Sequence, residues 1–94
     1  MVALMESASV AAIQKDLREG ETSVGTEISV RHFAPTPVGM HVRAHAVLLG
    51  IEGRHLNFRV EAWDDKEKIG EGSLTRAIVD AAWFAKRLKV KFGA

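Results

Sequence analysis

VGTEISVRHFAPTPVG, residues 24–39, is a period-two run that ends in a Pro-Thr-Pro corner. Ile28 and Val30 alternate with Glu27, Ser29 and Arg31, the pattern of a strand with one buried face. His32 shares the parity of Ile28 and Val30, so the sequence aims it at the apolar side. Pro35 and Pro37 have no N–H to give to a ladder, so the strand is expected to end near Ala34. An imidazole on an inner face beside a strand end titrates in the range a general base needs. On this strand alone the commoner role is a core histidine with one hydrogen bond.

Before this strand, Val2 to about Arg18 reads as a helix. At roughly 100° per residue, Val2, Val10, Ile13 and Leu17 form one narrow apolar stripe. Glu6 projects into the middle of that stripe, where a carboxylate is costly unless paired, hydrogen-bonded or protonated. Snorkelling to water is the ordinary alternative for an isolated Glu. Ala3, Ser7, Ala8, Ala11 and Ala12 are small and allow close approach to a sheet. Gly20 is a plausible stop. No N-cap residue precedes the helix, because Met1 sits directly on the apolar pattern. That reads either as a chain beginning inside a larger fold or as a short terminus that frays.

After the corner, His41 to Leu49 reads as a second strand, with Val42, Ala44, Ala46 and Leu48 on one face. His41 and His45 would chelate a metal on a helix, but on a strand they stand about 13 Å apart, so no metal site is assigned. GIEGR (50–54) is a hairpin turn, and His55 to Trp63 a third strand with Leu56, Phe58, Val60 and Ala62 inward. DDKEK (64–68) reads as a solvated charged turn, since it lacks spaced cation ligands. The fourth strand runs from about Lys68 to Val79. Gly70 and Gly72 mark a bulge or a close backbone approach there. Asp80 to about Lys91 reads as a second helix, capped by Asp80, with Ala81, Phe84, Leu88 and Val90 toward the body. Its Lys86, Arg87, Lys89 and Lys91 read as a solvated face that complements the helix dipole.

The composition narrows the function classes. Ninety-four residues make one domain, 1–94, whose modest burial favours a partner subunit. Thirteen basic and twelve acidic side chains nearly cancel, which gives no electrostatic footprint for nucleic acid or a membrane surface. No cysteine is present, so disulfides and thiolate metal sites are excluded. No apolar run approaches a membrane span, no secretory signal is visible, and a cytoplasmic location is expected. Helix, four antiparallel strands and a short helix make an α+β domain with a helix packed on a curved sheet.

That order, with these residues, resembles the hot-dog fold, an antiparallel sheet wrapped around a central helix. More specifically it resembles the fluoroacetyl-CoA thioesterase group. The matching stretches are LMESASV around Glu6, VGTEISVRHFAPTPVG around His32, EGRHLNFRVEAWD and IGEGSLTRAIVD, and they cover nearly the whole chain. The resemblance implies a thioesterase that hydrolyses a short-chain acyl-CoA, needs no cofactor beyond the CoA of its substrate, and works as a homodimer or higher homo-oligomer. It places Glu6 and His32 in the catalytic set and Gly25 and Arg76 at the acyl end of the pocket. The family's N-terminal strand, lid segment and catalytic threonine lie before the position of Met1, and no residue here matches that threonine. Leu74 stands where the family usually carries a histidine. The missing strand predicts an open sheet edge. The alternative functions are a non-catalytic acyl-CoA binder and a truncated dimerisation module.

Overall fold

The computed structural model describes residues 1–92. Helix α1 (Val2–Ile13) continues as a 3₁₀ turn, Gln14–Asp16. Four strands follow: β1 (Glu21–His32), β2 (Arg43–Glu52), β3 (His55–Trp63) and β4 (Lys68–Asp80). Helix α2 (Ala81–Phe92) ends the described chain. The strands form one antiparallel sheet in the order β1-β4-β3-β2, which leaves β1 and β2 at its two edges. None of the described helices is long and apolar enough to cross a membrane.

One face of the sheet carries α1. Met5 and Ile13 from the helix meet Leu56, Phe58, Val60 and Ala62 of β3 and Ile69 and Leu74 of β4 in a single core. Strand alternation brings Leu56, Phe58, Val60, Ala62 and Leu74 to this face, and Ile69 joins them at a break in the β3–β4 register between Ala62 and Trp63. The helix lies chiefly over β2 and β3, with little contact to β1. The inner face of β1 is therefore only partly covered.

The helix presents a different stripe from the one expected. Met5, Ser9 and Ile13 are buried, at the i, i+4, i+8 spacing of a single face. Val2 and Val10 are partly exposed and border a groove, and Glu6 is half-buried beside them. Met and Ser outcompete Val here because a helix close to a sheet needs a flexible filler and a small residue at the contact.

Boundaries moved by a few residues. β1 begins at Glu21, before Val24, and ends at His32, before Ala34, with Phe33 still donating its N–H to the Ile69 carbonyl. β2 extends to Glu52, so the hairpin turn is the pair Gly53-Arg54 alone. Gly53 has φ +61°, which suits the first central position of a two-residue hairpin turn. The close approach at Gly72 is real, because a Cβ there would overlap the Ser29 carbonyl oxygen and Val30 of β1.

The 64–68 turn is organised from inside. Asp64 is buried and accepts the backbone N–H groups of Lys66 and Glu67, both at 2.8 Å, and the Thr36 hydroxyl at 3.3 Å. These bonds hold its carboxyl below the usual range, the two backbone N–H groups contributing most. They also tie the Pro-Thr-Pro corner to the β3–β4 hairpin. Asp80 caps α2 by accepting the Trp83 N–H at 2.7 Å. Beyond that cap, Phe84 is half-buried, whereas Leu88 and Val90 are exposed instead of facing the body.

Candidate active site

Three of the four residues singled out in the sequence converge. Gly25 and Arg76 are direct partners across β1 and β4. A Cβ built on Gly25 would lie 3.6 Å from Arg76 Nη1 and 3.9 Å from Glu6 Oε2. The helix carboxylate and the strand guanidinium thus flank one spot, and the missing side chain of Gly25 keeps it open. The sheet register breaks at the same place: Thr26 is an extra residue between Gly25 and Glu27. Such a bulge re-aims its neighbours and leaves a backbone group outside the ladder.

Arg76 is buried, 7% exposed, and rigidly held. Its Nε donates to the Ser23 hydroxyl and its Nη2 to the Ser23 carbonyl, each at 2.9 Å. Among the described residues no carboxylate forms an ion pair with it. Its charge is therefore directed at the groove beside Glu6 and not neutralised within the chain.

His32 is on the expected face but in a different place. It pairs with Gly70, whose own Cβ position faces Met1 at the start of α1, so both lie on the helix-bearing side. It is exposed all the same, because α1 has little contact with β1. Seven residues of strand separate it from Gly25, roughly 20 Å at extended rise. It does not line either of the two cavities that Glu6 lines.

A second cluster lies on the opposite face. Lys68 donates to Glu71 and pairs with Glu61 at 3.5 Å, and Arg59 bridges to both acids. The Arg59 hydrogen bond holds Glu61 below its usual range, and the Lys68 hydrogen bond does the same for Glu71 and raises Lys68 in return. The two cations and two carboxylates of this cluster are matched, which marks a structural network.

The sequence reading missed Ser23 and the bulge at Thr26. Neither carries a pattern of its own. Ser23 gains its role only from the register that sets β1 against β4, and a bulge is invisible until the ladder is known.

Residues 1–82 match the model of the fluoroacetyl-CoA-specific thioesterase family. The chain belongs to that family. It is 43% identical over 91 residues to the fluoroacetyl-CoA thioesterase of Streptantibioticus cattleyicolor. That match covers 97% of this chain and 66% of the relative, so the chain spans just under two thirds of that protein. A solved structure of a fluoroacetyl-CoA thioesterase is similar with a TM-score of 0.93 at 43% identity, over 97% of this chain and 67% of the other. A Thermus thermophilus member of the thioesterase superfamily matches with a TM-score of 0.89 at 34% identity, over 99% of this chain and 71% of the other. A variant of the fluoroacetyl-CoA-specific thioesterase crystallised with fluoroacetate and CoA has a TM-score of 0.92 at 43% identity, over 97% of this chain and 71% of the other. The α+β architecture read from the sequence is thus the hot-dog thioesterase fold.

Proposed function

We propose that the protein hydrolyses short-chain acyl-CoA thioesters at a site shared between two copies of the chain. The observation that carries this reading is the convergence of Glu6, Gly25 and Arg76, in a family of thioesterases, with the fourth residue, His32, exposed elsewhere on the same strand.

β1 is a sheet edge, and two such edges can pair antiparallel about a twofold axis. In an isologous antiparallel pair the facing residue numbers have a constant sum. With Thr26 an extra residue in the ladder, a twofold at Ser29 sets Gly25 opposite the partner's His32, three places to either side. The imidazole then joins Glu6 and Arg76 from outside, and two equivalent sites form. The pairing also covers an edge with unpaired backbone groups.

In this arrangement Glu6 and the partner's His32 take the proton from the attacking oxygen of water as it bonds to the thioester carbonyl carbon. The developing oxyanion is met by the backbone at Gly25 and by the field of Arg76. The C–S bond then breaks, and His32 returns the proton to the leaving thiolate, giving free CoA and a carboxylic acid. General acid–base help of this kind is worth about 10²–10⁴-fold. A cytoplasmic location goes with this reading, since CoA thioesters are intracellular metabolites.

The test is thiol release from acetyl-, propionyl- and butyryl-CoA. Wild type should turn over at least one of them, and Glu6→Gln and His32→Ala should each lose about 10²-fold or more with folding intact. Saturable binding with no turnover would instead make the chain a ligand binder. Absence of both would leave a dimerisation module.

A further inference from the structure

Helix α2 leaves the sheet with most of its apolar side chains uncovered. None of its described residues is buried, and Trp83, Leu88, Val90 and Phe92 are exposed. Trp83, Phe84 and Leu88 line a groove of about 530 Å³ together with Arg87 and Lys91. The helix carries four cations, Lys86, Arg87, Lys89 and Lys91, and no acid. The Pro-Thr-Pro corner, at the other end of β1, is its counterpart. Pro37 and Val38 are exposed there. The corner is tied to the 64–67 turn by the Thr36 hydroxyl, which donates to Asp64, and by the His41 N–H, which donates to Asp65 at 3.3 Å. The exposed acids Asp65 and Glu67 therefore belong to the same unit as the apolar corner.

We propose that α2 is the seat for the corner of a second copy, whose Pro37 and Val38 pack on Trp83 and Leu88 while its acidic turn faces the lysines. This rests on the shared-site reading, and the register of that pairing brings the two surfaces together. With the partner's His32 beside Gly25, the partner's Thr36 comes level with Glu21. Glu21 pairs with Asp80, the cap of α2. The partner's corner thus leaves the ladder two strand spacings from the start of α2, roughly 10 Å. Within one copy the two surfaces do not meet, because the twelve residues of β1 hold them roughly 35 Å apart. The same register sets Glu27 opposite the partner's Arg31. Both are exposed, and neither has an ion-pair partner among the described residues of its own chain. Apolar burial holds the two surfaces together, and matched charge sets the direction of approach. The seat also fixes the segment that follows His32, and with it the place of that imidazole beside Gly25.

The chain has no cysteine, so thiols can be placed at chosen points without background. The experiment treats the full chain, carrying Val38→Cys, Leu88→Cys or both, with a bis-maleimide whose reach of about 15 Å is under half the length of β1. Sedimentation establishes the dimer in parallel. The double variant should give a covalent dimer. Each single variant should give none, since the twofold keeps like residues roughly 20 Å or more apart. Leu88→Asp, on an exposed helix, should fold and weaken the dimer by about tenfold or more. A sedimenting dimer that yields no covalent product from the double variant, or that is as tight in Leu88→Asp, overturns the seat and leaves the shared site standing. Product from a single variant equal to that of the double overturns the seat as well, because it places like surfaces together. Binding of wild type to phosphatidylserine vesicles, with no cross-linking, assigns α2 to a membrane instead. A monomer overturns both the seat and the shared site.

Discussion

Arg76 reaches across the β1–β4 ladder and donates twice to Ser23, once to its hydroxyl and once to its backbone carbonyl. Both bonds fix the guanidinium plane, and the remaining nitrogen, Nη1, is the one nearest Gly25. Ser23→Ala removes the hydroxyl bond and keeps the carbonyl bond. The expected cost is about 1–2 kcal/mol, at the lower end for hydrogen bonds to charged groups because one contact survives. A loosened guanidinium should also lower kcat more than it raises KM, since charge stabilisation acts on the transition state. Ser23→Thr should restore most of both. Chemical denaturation and steady-state kinetics of the three forms check this, and unchanged kcat in Ser23→Ala would make the contact purely structural.

Asp64 sets an acid limit on stability. Its folded pKa lies below the usual aspartate value of about 3.9, so its hydrogen bonds stabilise the fold above that value. That contribution is lost as pH falls through the lower, folded pKa, because the unfolded state then binds the proton more readily. Glu61 and Glu71 are shifted the same way and add to the same acid slope, while the raised Lys68 acts only at the alkaline end, where its contribution is lost as pH rises through its folded pKa. Asp64→Ala should melt lower than wild type at pH 7, and the gap should close as the pH falls below about 4. A melting-temperature series from pH 2 to 7 checks the sign. A gap that stays constant would mean that packing, and not the carboxylate, carries the effect.

Gly72 lets β1 and β4 approach at the centre of the sheet. Its would-be Cβ meets backbone atoms of β1, which cannot rotate away as a side chain can. Gly72→Ala should therefore destabilise toward the upper end of the roughly 1–3 kcal/mol typical of overpacking. Gly50, whose Cβ would meet nothing within 4 Å, is the control, and Gly50→Ala should change stability far less. Comparable urea midpoints for the two variants would contradict the steric account.

How far the sequence could be read follows from which interactions are local. Strands and helices came from periodicity, and the resemblance of four stretches carried the fold and the residues Glu6, Gly25, His32 and Arg76. The helix face was misjudged because Val and Leu weigh more than Met and Ser in a hydropathy stripe, whereas the sheet selected Met5, Ser9 and Ile13 by shape. Asp64 looked solvated because its partners, Thr36 and two backbone N–H groups, are set by a turn and a corner far apart in sequence. The distance from Glu6 to His32 depends on where α1 crosses the sheet, a tertiary quantity with no local signature.

That distance yields the sharpest prediction about assembly. If Glu6 works with the partner's His32, each site takes one residue from each copy. A Glu6→Gln chain keeps a good His32, and a His32→Ala chain keeps a good Glu6. Neither homodimer has an intact site. A mixed dimer, however, joins the Glu6 of one chain to the His32 of the other and regains one site of two. Random exchange puts half the protein in mixed dimers, so mixing the two inactive variants should recover about a quarter of wild-type activity. Sites contained within one chain recover nothing, because every chain then carries one defect. The measurement is thiol release after co-refolding the two variants at equal amounts, with sedimentation to establish the dimer. An additional β1 substitution, Val30→Pro, removes an N–H that faces the free edge beside the proposed twofold and should abolish both the dimer and the recovery. A stable monomer with wild-type activity, or a dimer with no recovery on mixing, would overturn the shared site.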